Sequence, residues 1–226
     1  MNESVIQPEV RATPSHRLIG TLGLIALLSG LLVVSVFEFT RPYIEKNHRV
    51  ALERAVFEVI PGAVARREFV LTERGVEPAA PGIAGIVFHA GYDAAGGLRG
   101  VAAVAAGRGY ADVIRVLYGY DPDCACIVGM KVLESKETPG LGDKIITDAR
   151  FRANFERLDA RLNAAGDGLA NAIVTVRQGN RHEAWEIDGI SGATISSVAI
   201  GRMLNAGAHD LLPRLRPHLD AIRNVE

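Results

Sequence analysis

Asp188-Gly189-Ile190-Ser191-Gly192-Ala193-Thr194, followed by Ile195-Ser196-Ser197, is the stretch of this chain best equipped for chemistry. Two glycines and an alanine leave its backbone uncovered, and Ser191, Thr194, Ser196 and Ser197 supply hydroxyls. The pattern predicts a helix starting at about Thr194. The free N–H groups and dipole of such a helix start suit an anion such as phosphate. The same residue types also suit an ordinary helix cap. A second stretch reads Glu137-Thr138-Pro139-Gly140-Leu141-Gly142-Asp143-Lys144. Its Pro-Gly pair fixes a turn, Gly142 allows close backbone approach, and Asp143 can cap a following helix. Taken alone, it reads as a strand-to-helix loop.

The elements that must position these stretches are set out along 226 residues, enough for one domain or at most two. Lys and Arg number 25 and Asp and Glu 26, so the net charge of −1 argues against a basic nucleic-acid binder. Hydrophobic residues make up 48% and charged residues 23%, the balance of a folded chain. Residues 1–17 form a short N-terminal tail. Leu18 to Phe37 carries no charge and lies between Arg17 and Glu38. As a helix it would rise about 30 Å, a membrane crossing. Its exit, Val36-Phe37-Glu38-Phe39, lacks the small residues of a signal-peptidase site, so the reading is an uncleaved anchor. Residues 38–62 predict a helical stalk, with Pro42 at a first helical position and Pro61-Gly62 as its stop. Residues 63–82 mix charge with Gly and Pro, as a linker or an irregular lead into the domain.

Beyond that, Ile83–Ala90 and Leu98–Ala106 predict a hairpin about a glycine-rich loop, and Val113–Tyr120 and Cys124–Leu133 a second about Asp121-Pro122-Asp123. Asp143–Ala165 predicts one helix stopped by Gly166, and Ala172–Arg177 a strand. Thr194–Gly207 and Leu211–Arg223 predict two helices, the second broken by Pro213 and Pro217. Strands and helices mixed in one unit, residues 83–226, argue an α+β fold.

In their order and spacing the two motifs resemble the FMN-binding domain of the RnfG family, the G component of the Rnf electron-transport complex. The sodium-pumping NADH:quinone reductase has a homologous component, NqrC. The family's flavinylation pattern is Asp, two variable residues, Ser or Thr, Gly, Ala, Thr. Asp188, Ser191, Gly192, Ala193 and Thr194 match it at every defined position. Glu137 to Gly142 match the family's Glu-Thr-Pro-Gly-Leu-Gly loop, and Gly109 to Leu117 resemble its glycine-aromatic opening strand. The resemblance implies FMN joined covalently through its phosphate to Thr194, installed from FAD by a Mg²⁺-dependent flavin transferase. It also implies a flavin pocket that includes Glu137, Thr138, Leu141 and Gly142, with Lys144 balancing phosphate charge or simply solvated.

The implied protein is an electron-carrying subunit of an inner-membrane oxidoreductase that moves electrons between ferredoxin and NAD and translocates Na⁺ or H⁺. Its partners would be the other membrane subunits. The family puts the flavin domain on the periplasmic face. The charge count, Arg11 and Arg17 before the span against Arg41, Lys46, Arg49 and Arg54 after it, leans the other way. The alternatives are an NqrC-like quinone-reductase component and a membrane-tethered assembly module without cofactor.

No catalytic triad, P-loop or zinc-ligand spacing occurs, and Gly107-Arg108-Gly109 is not a dinucleotide fingerprint. Cys124-Ala125-Cys126 reads either as small packed residues or as a redox-active or metal-linked pair. Trp185, close to the flavin motif, reads as a packing residue in preference to an electron-transfer one.

Overall fold

The computed structural model describes residues 14–223; most of the N-terminal tail, including Arg11, lies outside them. The chain divides into two compact units, residues 1–49 and 50–226. The described part of the first unit is helical and belongs to α1 (Ser15–Val59, 45 residues). This helix is long and apolar enough to cross a membrane. The large side chains from Leu18 to Phe37 are exposed, with none buried against protein. Pro42 does not start a new helix: α1 runs through it. Proline removes one ladder hydrogen bond, and Arg41 and Glu45 form an ion pair one turn apart at 3.0 Å across the site.

The second unit is built on a seven-stranded antiparallel sheet. Its strands are β1 (Ala65–Thr72), β2 (Gly75–Pro78), β3 (Ile86–Tyr92), β4 (Leu98–Arg108), β5 (Val113–Asp121), β6 (Cys126–Glu134) and β7 (Leu158–Asp159), in the order β2-β1-β3-β4-β5-β6-β7. Both expected hairpins form. Residues 63–82, expected as a linker or irregular lead-in, instead hold β1 and β2. The charges of β1 crowd its exposed first half, while Phe69, Val70 and Leu71 enter the core.

The sheet buries both faces, so alternate residues feed two cores. On one face Val101, Ala103, Val116 and Tyr118 join the main core. On the other, Ala102 and Leu117 meet Ala55, Val56, Val59 and Ile60 from the end of α1. That contact is backbone to backbone. A Cβ at Gly129 would lie 2.6 Å from the Cα of Val59, and one at Gly119 would overlap its carbonyl oxygen.

The main core is covered by α4 (Thr194–Leu215), which contributes Ile200, Met203, Leu204, Leu211 and Leu215. This helix passes the expected break at Gly207 and contains Pro213. The chain then changes to a 3-10 turn at Arg216–His218, where Pro217 sits, and ends in α5 (Leu219–Arg223).

The helix expected over 143–165 is instead three short pieces: α2 (Lys144–Thr147), α3 (Ala149–Ala153) and a 3-10 turn at Asn154–Glu156. Asp148 explains the division. Its carboxylate accepts from the N–H groups of Arg150 (2.9 Å) and Phe151 (3.1 Å), which caps a new helix start. A small parallel pair, β8 (Val174–Val176) and β9 (Glu186–Asp188), completes the fold.

Candidate flavin site

The start of α4 is open to a ligand. Its N-cap residue is Ala193, which is buried and provides no side-chain cap. The preceding loop is braced from behind. Ser197 Oγ donates to the Ala193 carbonyl (2.7 Å) and accepts from the N–H of Ile190 (3.2 Å). Gly192 turns the chain with φ +84, a conformation that favours glycine. Thr194, the first helical residue, is thereby exposed at a helix N-terminus whose leading N–H groups have no capping side chain.

Facing this helix start is the loop after β6. Glu137 is buried there, and its carboxylate joins three segments. One oxygen accepts from the N–H of Ala111 at 2.9 Å, and the other accepts from the hydroxyl of Ser196. Two glycines make room for this junction. A Cβ at Gly109 would lie 2.5 Å from Glu137 Oε1, and one at Gly142 would lie 2.6 Å from Oε2. The loop at Gly109–Asp112 is tied down again by Lys136, which meets Asp112 at 3.0 Å. The hydrogen bond from Lys136 holds the Asp112 carboxyl below its usual range.

Between these parts lies a cavity of about 290 Å³ lined by Tyr110, Glu137, Thr138, Leu141, Gly142, Gly192, Ala193, Thr194, Ile195 and Ser196. That volume lies at the small end of the range for small-molecule sites. Seven of the ten residues singled out from sequence line it: Glu137, Thr138, Leu141, Gly142, Gly192, Ala193 and Thr194. Three do not.

Asp188 closes the neighbouring turn through the N–H of Gly179 (2.6 Å), while Asn154 bonds its backbone on both sides, at 2.9 and 3.1 Å. Ser191 donates its N–H to Gln178 (3.1 Å). Lys144 sits in α2 and is not among the lining residues. Asp143 precedes α2 but makes no side-chain cap, and its Oδ1 is buried without a hydrogen-bond partner. Tyr110, Ile195 and Ser196 line the cavity without belonging to the site read from sequence. The Gly109-Tyr110 pair is visible in the sequence, but its approach to a loop 28 residues later is not.

The donor set fits FMN. An uncapped helix start suits the phosphate, and the threonine hydroxyl beside it could form the ester. Exposed apolar side chains lining the cavity suit a ring system. A sequence family described as an FMN-binding domain matches residues 109–209.

Residues 109–209 are thus similar to FMN-binding domains.

Among curated proteins it is similar to the G component of the ion-translocating oxidoreductase complex of Methanosarcina acetivorans, with 26% identity over 184 residues, covering 81% of this chain and 87% of that protein. The corresponding protein of Pasteurella multocida is 36% identical over 108 residues, covering 47% and 48%. The chain thus spans about half the length of that relative. The chain also shares the fold of Shewanella oneidensis NqrC, with a TM-score of 0.61 and 20% identity, covering 78% of this chain and 99% of that one. The C component of the Na⁺-translocating NADH-quinone reductase of Parabacteroides distasonis gives a TM-score of 0.58 and 18% identity, covering 76% and 95%.

The two cysteines form a disulfide, Cys124–Cys126, in the turn between β5 and β6. The two thiols, read from sequence as small packed residues or as a redox-active or metal-linked pair, are thus bridged to each other. Ala125 between them accommodates it at φ +52. The turn lies beside a second hollow of about 390 Å³, which Ala125 lines together with Leu212 and Leu215 from the far end of α4.

Proposed function

We propose that this chain is a membrane-anchored flavoprotein, an RnfG-type component of an ion-translocating oxidoreductase, which carries electrons on FMN bound covalently through Thr194. The observation that carries this reading is the meeting of the two sequence motifs on one cavity, with the Thr194 hydroxyl exposed at an uncapped helix start. A flavin transferase presenting FAD would find that hydroxyl accessible. Thr194 Oγ would hold FMN through a phosphoester, and the uncapped α4 N–H groups would offset the phosphate charge. Once bound, the flavin supplies the redox chemistry, and the protein supplies position and electrostatics.

Two features support a periplasmic flavin domain in the inner membrane. The family implies transferase access outside the cytoplasm, and a disulfide in the domain fits an oxidising compartment. The electron route between ferredoxin and NAD, and Na⁺ or H⁺ as the coupling ion, follow from the same reading. The likeness to NqrC favours one second reading, the quinone-reductase component. A gene neighbourhood encoding an NADH:quinone reductase would select it.

The decisive experiment is flavin fluorescence on a denaturing gel, with the full chain co-expressed with its flavin transferase. The wild-type band fluoresces and the Thr194→Ala band is dark. A dark wild-type band, with the transferase active on a control acceptor, overturns covalent attachment and favours a cofactor-free tether.

A further inference from the structure

We infer that Tyr110 stacks on the isoalloxazine ring and so closes one wall of the flavin cavity. The inference rests on the FMN reading above and adds a residue to it. Tyr110 is 67% exposed although it lines the cavity. Among the described residues its hydroxyl has no hydrogen-bond partner. Both sides of Tyr110 are nonetheless fixed. Gly109 donates its N–H to the Asp112 carbonyl (2.9 Å), Ala111 donates to Glu137 (2.9 Å), and Asp112 pairs with Lys136 (3.0 Å). The result is a pinned loop that presents a bare aromatic side chain.

Two more large apolar side chains share the cavity from separate segments, Leu141 at 51% and Ile195 at 55% exposure. Three exposed apolar groups around one cavity leave surface that a planar aromatic ligand would cover. Tyrosine does this at low entropic cost, since it has few rotatable bonds and its backbone is already held. The phosphate end is fixed at Thr194, on a different segment from Tyr110, so the ring has a wall to lie against. A phenol in van der Waals contact with the ring also gives a signature. It lends an electron to the photoexcited ring and recovers it, which extinguishes emission.

The test uses the full chain, loaded by co-expressed flavin transferase and purified in detergent. Wild type, Tyr110→Ala and Tyr110→Phe are compared by native flavin emission per flavin, with flavin content read from the denatured sample. Native wild-type emission should be weak. Tyr110→Ala should raise it several-fold. Tyr110→Phe should also raise it, while keeping the wild-type visible absorption bands because the stack survives. Near-UV circular dichroism checks that both variants fold. Unchanged emission per flavin in a loaded Tyr110→Ala protein overturns the stacking inference alone. A wild-type protein without covalent flavin overturns the reading beneath it, and the inference with it.

Discussion

Replacing Gly142 with alanine tests whether the Glu137 junction is as tight as its geometry. The added Cβ would lie 2.6 Å from Glu137 Oε2, 2.8 Å from Glu137 Cβ and 3.1 Å from Ser196 Oγ. Ordinary contact begins at 3.4 Å, so the carboxylate must retreat by 3.4 − 2.6, or 0.8 Å. It has little room to do so, because both oxygens are bonded and the residue is buried. Overpacking of this kind costs about 1–3 kcal/mol. Losing a hydrogen bond to a charged group costs about 1.5–3 kcal/mol. The two overlap, so the expected loss is about 3 kcal/mol, or roughly 6–12 °C in Tm for a chain of this size.

Gly140 provides the contrast. It lies two residues away at φ +76 with nothing within 4 Å of its Cβ position. Gly140→Ala therefore pays only for backbone conformation, about 1 kcal/mol. Denaturant unfolding followed by Trp185, the single tryptophan, measures both variants in the full chain. Gly142→Ala should also load less flavin, because Ser196 and the first turn of α4 move with Glu137. If Gly142→Ala is as stable as Gly140→Ala and loads normally, the junction is slack and the reasoning fails.

Two other sites give independent tests. His89 is buried, and that burial pushes its pKa below 6.5; Glu68 opposes this, and Arg66, 3.4 Å away, adds to it. The unfolded chain therefore takes up the proton first. Stability should be full above about pH 6.5 and decline below it, and unfolding of His89→Gln across about pH 5–7.5 should show a flatter decline. The Cys124–Cys126 bridge closes a loop of only three residues, so loop entropy assigns it less than about 2 kcal/mol. A Cys124→Ser/Cys126→Ser double variant should lose no more than that and load flavin normally. Thiol titration of wild type should find reactive thiols only after reduction.

The two motifs and both hairpins are legible in the sequence because their signals are local: Pro-Gly turns, a glycine-rich loop, and alternating apolar residues. What the sequence conceals is created by contact. Residues 65–72 look like a charged linker until their last residues are seen facing a core across β3. Asp188 stands in a motif that suggests ligand binding, yet its carboxylate secures a turn at Gly179, and only the fold brings those residues together. The helix expected over 143–165 fails at Asp148, whose carboxylate favours a fresh N-terminus over a continued helix. Tyr110 escapes notice because exposure, not residue type, sets it apart.

The seat of Val59 on Gly119 and Gly129 bears on how this chain can be shortened. No side chain separates the helix backbone from the strands there, so the last turns of α1 act as a wedge shaped to the sheet. Val56, Val59 and Ile60 are fully buried, and each contributes about 1.5–3 kcal/mol of burial. Together they approach the total stability of an ordinary domain, about 5–15 kcal/mol. A soluble version cut at Pro61 would expose a long apolar groove across four strands and invite aggregation. Cut near Val50 instead, it would carry its own wedge. The boundary between the two units therefore falls inside a continuous helix, where the residues carry no punctuation.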